Sequence, residues 1–207
     1  MTDQEGETTG TPTTRTTADP KPAAIAMMVG NVIGAVGLIL GFVRLSAGGA
    51  EAIKPVALLA VGILGVVSFV RHSILHASDA ARMKWDLGGR IDNFQIEVGM
   101  ANLAWGLVAI AAVLLDWGTY AQAALTLVFG LYLLFAASIH LRIFFSGPSA
   151  ERRSVAQVLP IMIMSLLTLC FAFVGLAAAG FALRRLLLLA VGFVIIQSSG
   201  MCGPQVS

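Results

Sequence analysis

The chain runs to 207 residues, 57% of them hydrophobic and 12% charged, with a net charge of +2. Soluble domains carry about 25% charged residues, so a mean hydropathy of +0.88 marks a chain whose solvent is lipid. The small charge, with no basic run interleaved with aromatics, excludes nucleic acid as a partner, and the two cysteines, Cys170 and Cys202, do not make a disulfide framework.

Residues 1–22 include TTGTPTTRTTADPKP and have no apolar period, so a disordered tail is expected there. The tail lacks the basic start of a secretory signal, which makes the first apolar block an uncleaved span. Blocks of roughly 20 or more apolar residues follow at 23–43, 55–77, 94–115, 119–145 and 155–180. That is the length needed to cross a ~30 Å hydrocarbon core at ~1.5 Å per residue. The expectation is an all-α, polytopic transmembrane helix bundle over residues 23–199, crossing five times, with a tail at 200–207. A sixth crossing over 183–198 depends on Arg184 and Arg185 snorkelling to the interface.

In the first block, Gly30, Gly34, Gly37 and Gly41 are spaced four, three and four apart, which lines them along one helix face. Such a stripe lets another helix approach closely, whether from this chain, a second copy or a different membrane protein. The second block ends in FVRHSILHA. There His72 and His76 stand four apart, so on an α-helix both imidazoles would face the same way. SDAARMKWDLGG comes next and reads as a short interfacial helix, with Ser78 or Asp79 as its cap and Gly88 as its stop.

The third block opens with FQIEVGMANLAW and places Glu97 about one turn inside the span. A carboxylate at the centre of a membrane helix costs about 2.5–3.5 kcal/mol on insertion scales, so Glu97 should have a partner or a task. Asn102 lies deeper on the same helix and suits an interhelical hydrogen bond. His140 closes the fourth block. Met162 and Met164 in the fifth read as packing, because they alternate around the helix instead of stacking.

With the N-terminus inside, Arg15, Lys21, Arg71, Arg82, Lys84, Arg90, Arg142, Arg152 and Arg153 share the cytoplasmic side. Arg44, Lys54, Arg184 and Arg185 take the other. The bias favours a cytoplasmic N-terminus. It also puts His72, His76, Glu97 and His140 at one membrane level. Three readings stay open for that set. It can be a polar cluster that organises the bundle, a site for a proton or small ligand, or a ligand set for zinc, iron or haem. The functions in view are a non-enzymatic membrane protein whose buried His/Glu cluster organises the bundle or binds a small ligand or proton, an accessory subunit of a larger membrane complex docking through the glycine stripe, and a metal- or haem-dependent membrane redox protein. No hydrolase motif or glycine-rich phosphate loop is present, and HxxxH lacks the glutamate of a zinc protease.

FVRH at 69–72, FQIEVGMANLAWG at 94–106 and FAASIH at 135–140 together resemble a family of small bacterial multi-pass membrane proteins, a domain of unknown function with an FQxEVGxAxL-like signature. The likeness covers roughly residues 56–180. It implies a bundle of four or five helices in the bacterial inner membrane, with His72, Glu97 and His140 on the family's polar positions. His76 is extra. The chain departs from the pattern at Ala156 and Gln157, where the family tends to carry an acid before Leu-Pro, and at Ile139, where a glycine often stands.

Overall fold

A computed structural model describes residues 18–83, 93–146 and 155–180. Helix α1 spans Lys21–Arg44, with Pro20 at its cap and Pro22 in the first turn, where a missing amide breaks no helical hydrogen bond. A short turn ending at Gly48 (φ 111°) reverses the chain into α2, Gly49–Ile74. Helix α3 is short, His76–Arg82. Helix α4 spans Asn93–Leu114, α5 Thr119–Ser146 and α6 Val155–Ala178. Between α4 and α5, Asp116 and Gly118 turn the chain with positive φ, flanked by the exposed aromatics Trp117 and Tyr120.

All the described elements are helical. Five of these helices are long and apolar enough to cross a bilayer, so the chain is a multi-pass membrane bundle. The surface agrees with that solvent. On α1, Ile25, Met28, Val32, Val36, Ile39 and Val43 point outward, while Ala23, Gly30, Gly34, Gly37, Leu38 and Gly41 are buried. An apolar face of that length exceeds what a water-soluble monomer leaves exposed. The conditional sixth crossing and the 200–207 tail lie outside the described residues, as does most of the N-terminal tail.

Helix α2 is the centre of the bundle. Within its most apolar stretch 44% is buried, against 22–33% in the other four spans. It packs on α1, α4 and α6, and α5 lies along α6. Pro55 takes away one helical amide, and the winding widens to a π-helix over Val56–Ile63 directly after it. A second π segment, Val70–Ile74, ends the helix, with the Leu75 amide reaching back to the Val70 carbonyl at 2.9 Å. The core behind these turns is layered. Leu38, Ile53, Val56 and Phe171 form one cluster, and Val61, Leu64, Ala109 and Phe129 the other. Trp105 seals the second edge-on to Tyr132, with ring centroids 4.8 Å apart.

The glycine stripe of α1 faces this chain's own helices. A Cβ on Gly30 would lie 2.9 Å from Leu64, on Gly37 2.9 Å from the Ala60 backbone nitrogen, and on Gly41 2.6 Å from Val56. Covered in this way by α2 and α6, the stripe is not free to dock a second protein. The contacts also rank the positions. At Gly34 the obstacle is the tip of Met164, a flexible side chain, whereas at Gly37 it is backbone. Gly34→Ala is therefore expected to leave thermal stability in detergent within about 1 kcal/mol of the parent, and Gly37→Ala to cost about 1–3 kcal/mol. Equal melting temperatures for the two variants would show that α1 and α2 are not in backbone contact.

Candidate functional site

The π turn over Val70–Ile74 does more than end α2. The irregular backbone at Leu75 (φ −99°, ψ 24°) sends the chain back so that α3 lies against the end of the span it has just left. Two residues of α3 are thereby buried where a loop helix would have left them wet. Ser78 accepts a hydrogen bond from the Ala23 amide at 3.1 Å and donates one to the Asp19 carbonyl at 2.6 Å, pinning the start of α1. Asp79, only 2% exposed, becomes the hub of a charged cluster.

Four side chains converge on the Asp79 carboxylate. Arg82 Nε donates to Oδ1 at 2.9 Å, and Gln95 Nε2, from α4, donates to Oδ2 at 2.9 Å. His72 Nδ1 stands 3.1 Å from Oδ2, and Arg71 Nε stands 3.7 Å from it. The Arg71 guanidinium also contacts His72 Nε2. A guanidinium can only donate, so Nε2 must accept, and the imidazole proton sits on Nδ1 facing the carboxylate. His72 is then neutral. Among the described residues, two guanidinium charges against one carboxylate leave the cluster with one net positive charge.

Burial alone would push the Asp79 carboxyl up. The hydrogen bond from His72 and the charges of Arg71 and Arg82 outweigh it and hold the group at about 2, against an ordinary 3.8. A depressed carboxylate stabilises the fold fully above its unfolded pKa and loses that contribution as pH falls through the folded one. Stability in detergent should thus fall by about 2 kcal/mol as the pH drops from about 4 to about 2. Asp79→Asn should flatten that stretch of the profile, and a mutant profile parallel to the parent's would rule out Asp79 as the titrating group.

Below the cluster lies a cavity of about 420 Å³, lined by all five spans and α3. One end is polar, with Arg71, His72, Asp79, Arg82, Gln95 and His140. The deeper part is mostly apolar, with Leu64, Val67, Phe129, Leu133 and Met164 beside the neutral polar side chains of Asn31 and Ser68. Between them, Asn102 donates to the Val98 carbonyl at 2.7 Å and to the Tyr132 hydroxyl at 3.3 Å. The Tyr132 hydroxyl accepts there and keeps its own proton to donate.

Of the residues singled out by the sequence, His72, His140, Asn102, Gly30 and Met164 line this cavity, and His76 and Glu97 do not. Glu97 is exposed on the outer face of α4. The buried stripe of that helix is Gln95, Gly99, Asn102 and Gly106, and two residues beyond Gln95 is more than half a helical turn away. The acid of the cluster is Asp79 instead. His76 does not share a face with His72, because a π turn and the break at Leu75 separate them, and its Nδ1 donates to the Ser73 carbonyl at 3.1 Å. The four-residue metal set therefore does not assemble. Among the described residues no three His, Cys, Asp or Glu side chains are grouped to hold an ion. His72 lies between the Arg71 guanidinium, which covers Nε2, and the Asp79 carboxylate, 3.1 Å from Nδ1, so neither ring nitrogen is open as an axial ligand. The interfacial helix expected around Ser78 and Asp79 is α3, docked into the bundle with both residues inside it and not at its cap; Trp85 and Gly88 lie outside the described residues.

Asp79, Arg71, Arg82, Gln95 and Tyr132 were not read from the sequence as site residues. The signal for Gln95 was available in the four-three-four spacing of Gln95, Gly99, Asn102 and Gly106, which repeats the spacing of the α1 stripe.

Residues 23–179 match a family described as a family of unknown function, DUF6790. No curated protein and no solved structure matches the chain.

Proposed function

The chain thus belongs to the DUF6790 family of unknown function, and from its own residues we propose that it is a binding protein of the membrane. Its cavity takes up a small molecule beneath the Asp79 cluster. The observation that carries this reading is a cavity of about 420 Å³ in which a charged cluster at the mouth of the bundle adjoins a mostly apolar lining. Ligand sites are characteristically concave, largely apolar and marked by a few converging polar groups, at volumes of about 300–1,000 Å³. A cluster that served packing alone would have no need of empty space beside it.

Binding fits the chemistry better than catalysis does. Asp79 is held ionised by its neighbours, and His72 is enclosed between Arg71 and Asp79, so neither is poised to exchange a proton with a substrate. The basic bias of the sequence supports placing the cluster at the cytoplasmic side of a bacterial inner membrane, with the N-terminus inside. The cavity would then be reached from the cytoplasm or from the inner leaflet.

Ala136 lines the cavity on α5, and Ala136→Phe would fill it without touching the charged cluster. After purification in a mild uncharged detergent, mass spectrometry of an organic extract should find a compound carried by the parent in molar proportion and missing from Ala136→Phe. If the two folded proteins carry identical extracts, the cavity is not a ligand site.

A further inference from the structure

We propose that the molecule this cavity takes is an anionic amphiphile, with a singly charged carboxylate or phosphate-ester head on an apolar body. The inference rests on the reading of the cavity as a ligand site and adds the ligand's chemical class.

The first support is charge. Asp79 is the single acid among the described lining residues, and it faces both Arg71 and Arg82. Glu97, the acid on α4 itself, points away from the bundle and does not line the cavity. Neutral His72 adds no charge, so among the described residues the polar end carries an excess guanidinium charge on side chains that are mostly shielded from solvent. An unpaired charge in such surroundings is costly and calls for a counter-ion. A cationic ligand would worsen the imbalance, and a neutral one would leave it in place.

The second support is the remaining donors. A guanidinium carries five N–H groups in a planar fork. Arg71 places one terminal nitrogen on His72 and holds Nε 3.7 Å from the Asp79 carboxylate, too far for a hydrogen bond, while Arg82 spends Nε on Asp79 and one terminal nitrogen on the Met83 sulfur. Each therefore keeps donors for an incoming oxygen, and the Tyr132 hydroxyl proton adds another at the boundary of the two ends. An arrangement rich in donors and poor in acceptors recognises an anion.

The third support is the apolar end. Leu64, Val67, Phe129, Leu133 and Met164 outnumber the neutral polar groups of Asn31 and Ser68 there, so the body attached to the anionic head is largely apolar. Small inorganic anions would leave that end empty. The same chemistry is met in membrane fatty acids and in small soluble carboxylic acids, and chain length separates these sources.

The test uses the full chain in dodecyl maltoside, with calorimetric titration of octanoate, octanol, octylammonium and acetate against protein and against empty micelles. Octanoate should saturate, with acetate, octanol and octylammonium weaker by about tenfold or more. Arg82→Gln, which removes the excess charge, should lose octanoate affinity by a similar factor and retain octanol binding, while Arg82→Lys keeps the preference for the acid. Affinity that keeps rising from octanoate to palmitate points to a membrane lipid, whereas affinity that peaks near octanoate points to a soluble acid. If octanol or octylammonium binds the parent as well as octanoate does, and Ala136→Phe abolishes all three, the cavity is a ligand site and the anionic assignment is wrong. If no probe binds the parent more tightly than it binds Ala136→Phe, the ligand-site reading itself fails. The ranking of probes on the parent decides the question even if Arg82→Gln does not fold.

Discussion

Replacing Asp79 by Ala is expected to destabilise the protein by about 3–5 kcal/mol, the usual cost of removing one partner from a buried ion cluster. The loss of attraction is the smaller part of that cost. Arg71 and Arg82 would be left inside the bundle with no counter-charge, and the Gln95 amide and His72 Nδ1 would lose their acceptor together. For a chain of this size the melting temperature in detergent should fall by on the order of 10 °C. Asp79→Asn keeps the shape but presents an amide group to donors, so it should fall between the parent and Ala. The double variant Asp79→Ala with Arg82→Ala should cost less than the sum of the single changes by at least about 1 kcal/mol, because removing Arg82 relieves the stranded charge. Strict additivity would mean that the two side chains do not interact, and it would remove the hub on which the site is built.

The spans were legible because a bilayer imposes its own arithmetic: a helix must stay apolar for about 20 residues, whatever it packs against. The apolar blocks at 94–115 and 119–145 accordingly differ from helices Asn93–Leu114 and Thr119–Ser146 by a residue at most at each end. Asp79 was not legible in the same way. It lies beyond the apolar block, in a stretch whose composition suits an interfacial turn, and its burial follows from the path of the chain. That path is set by the π turn at Val70–Ile74, and hydrophobic patterning carries no mark of an extra residue in a helical turn.

Glu97 shows the opposite problem. The cost of a charge in an apolar run is a sound reason to look at it, but depth along a helix and angle around it are separate coordinates. Glu97 shares the depth of His72 and His140 to within the resolution of a sequence argument. Its angle is fixed by Gln95, Gly99, Asn102 and Gly106, which claim the inner face and turn Glu97 outward. Small residues located the contact face on α1 better than the charged residue located the site, because a close approach of backbones tolerates no substitute.

That intolerance leads to the second large effect, which is expected where α2 crosses α4. A Cβ on Gly106 would lie 2.7 Å from the Gly62 carbonyl oxygen and 3.1 Å from the Val66 nitrogen; one on Gly65 would lie 2.7 Å from the Asn102 carbonyl oxygen. Every one of these obstacles is main chain, so none can be relieved by a rotamer change. Gly106→Ala should cost about 1–3 kcal/mol as the two helices are pushed apart, and Gly106→Leu more than that. The consequence reaches the site, since Gln95 lies on the same buried stripe of α4 and holds Asp79 on α3 at 2.9 Å. Parting α2 from α4 should break this hydrogen bond and open the floor of the cavity between Asn102 and Leu64. Gly106→Leu protein that still inserts into membranes should therefore melt well below the parent and also lose the acid-pH transition assigned to Asp79. A Gly106→Leu variant that melted like the parent, with the transition intact, would show that α2 and α4 do not meet through their backbones.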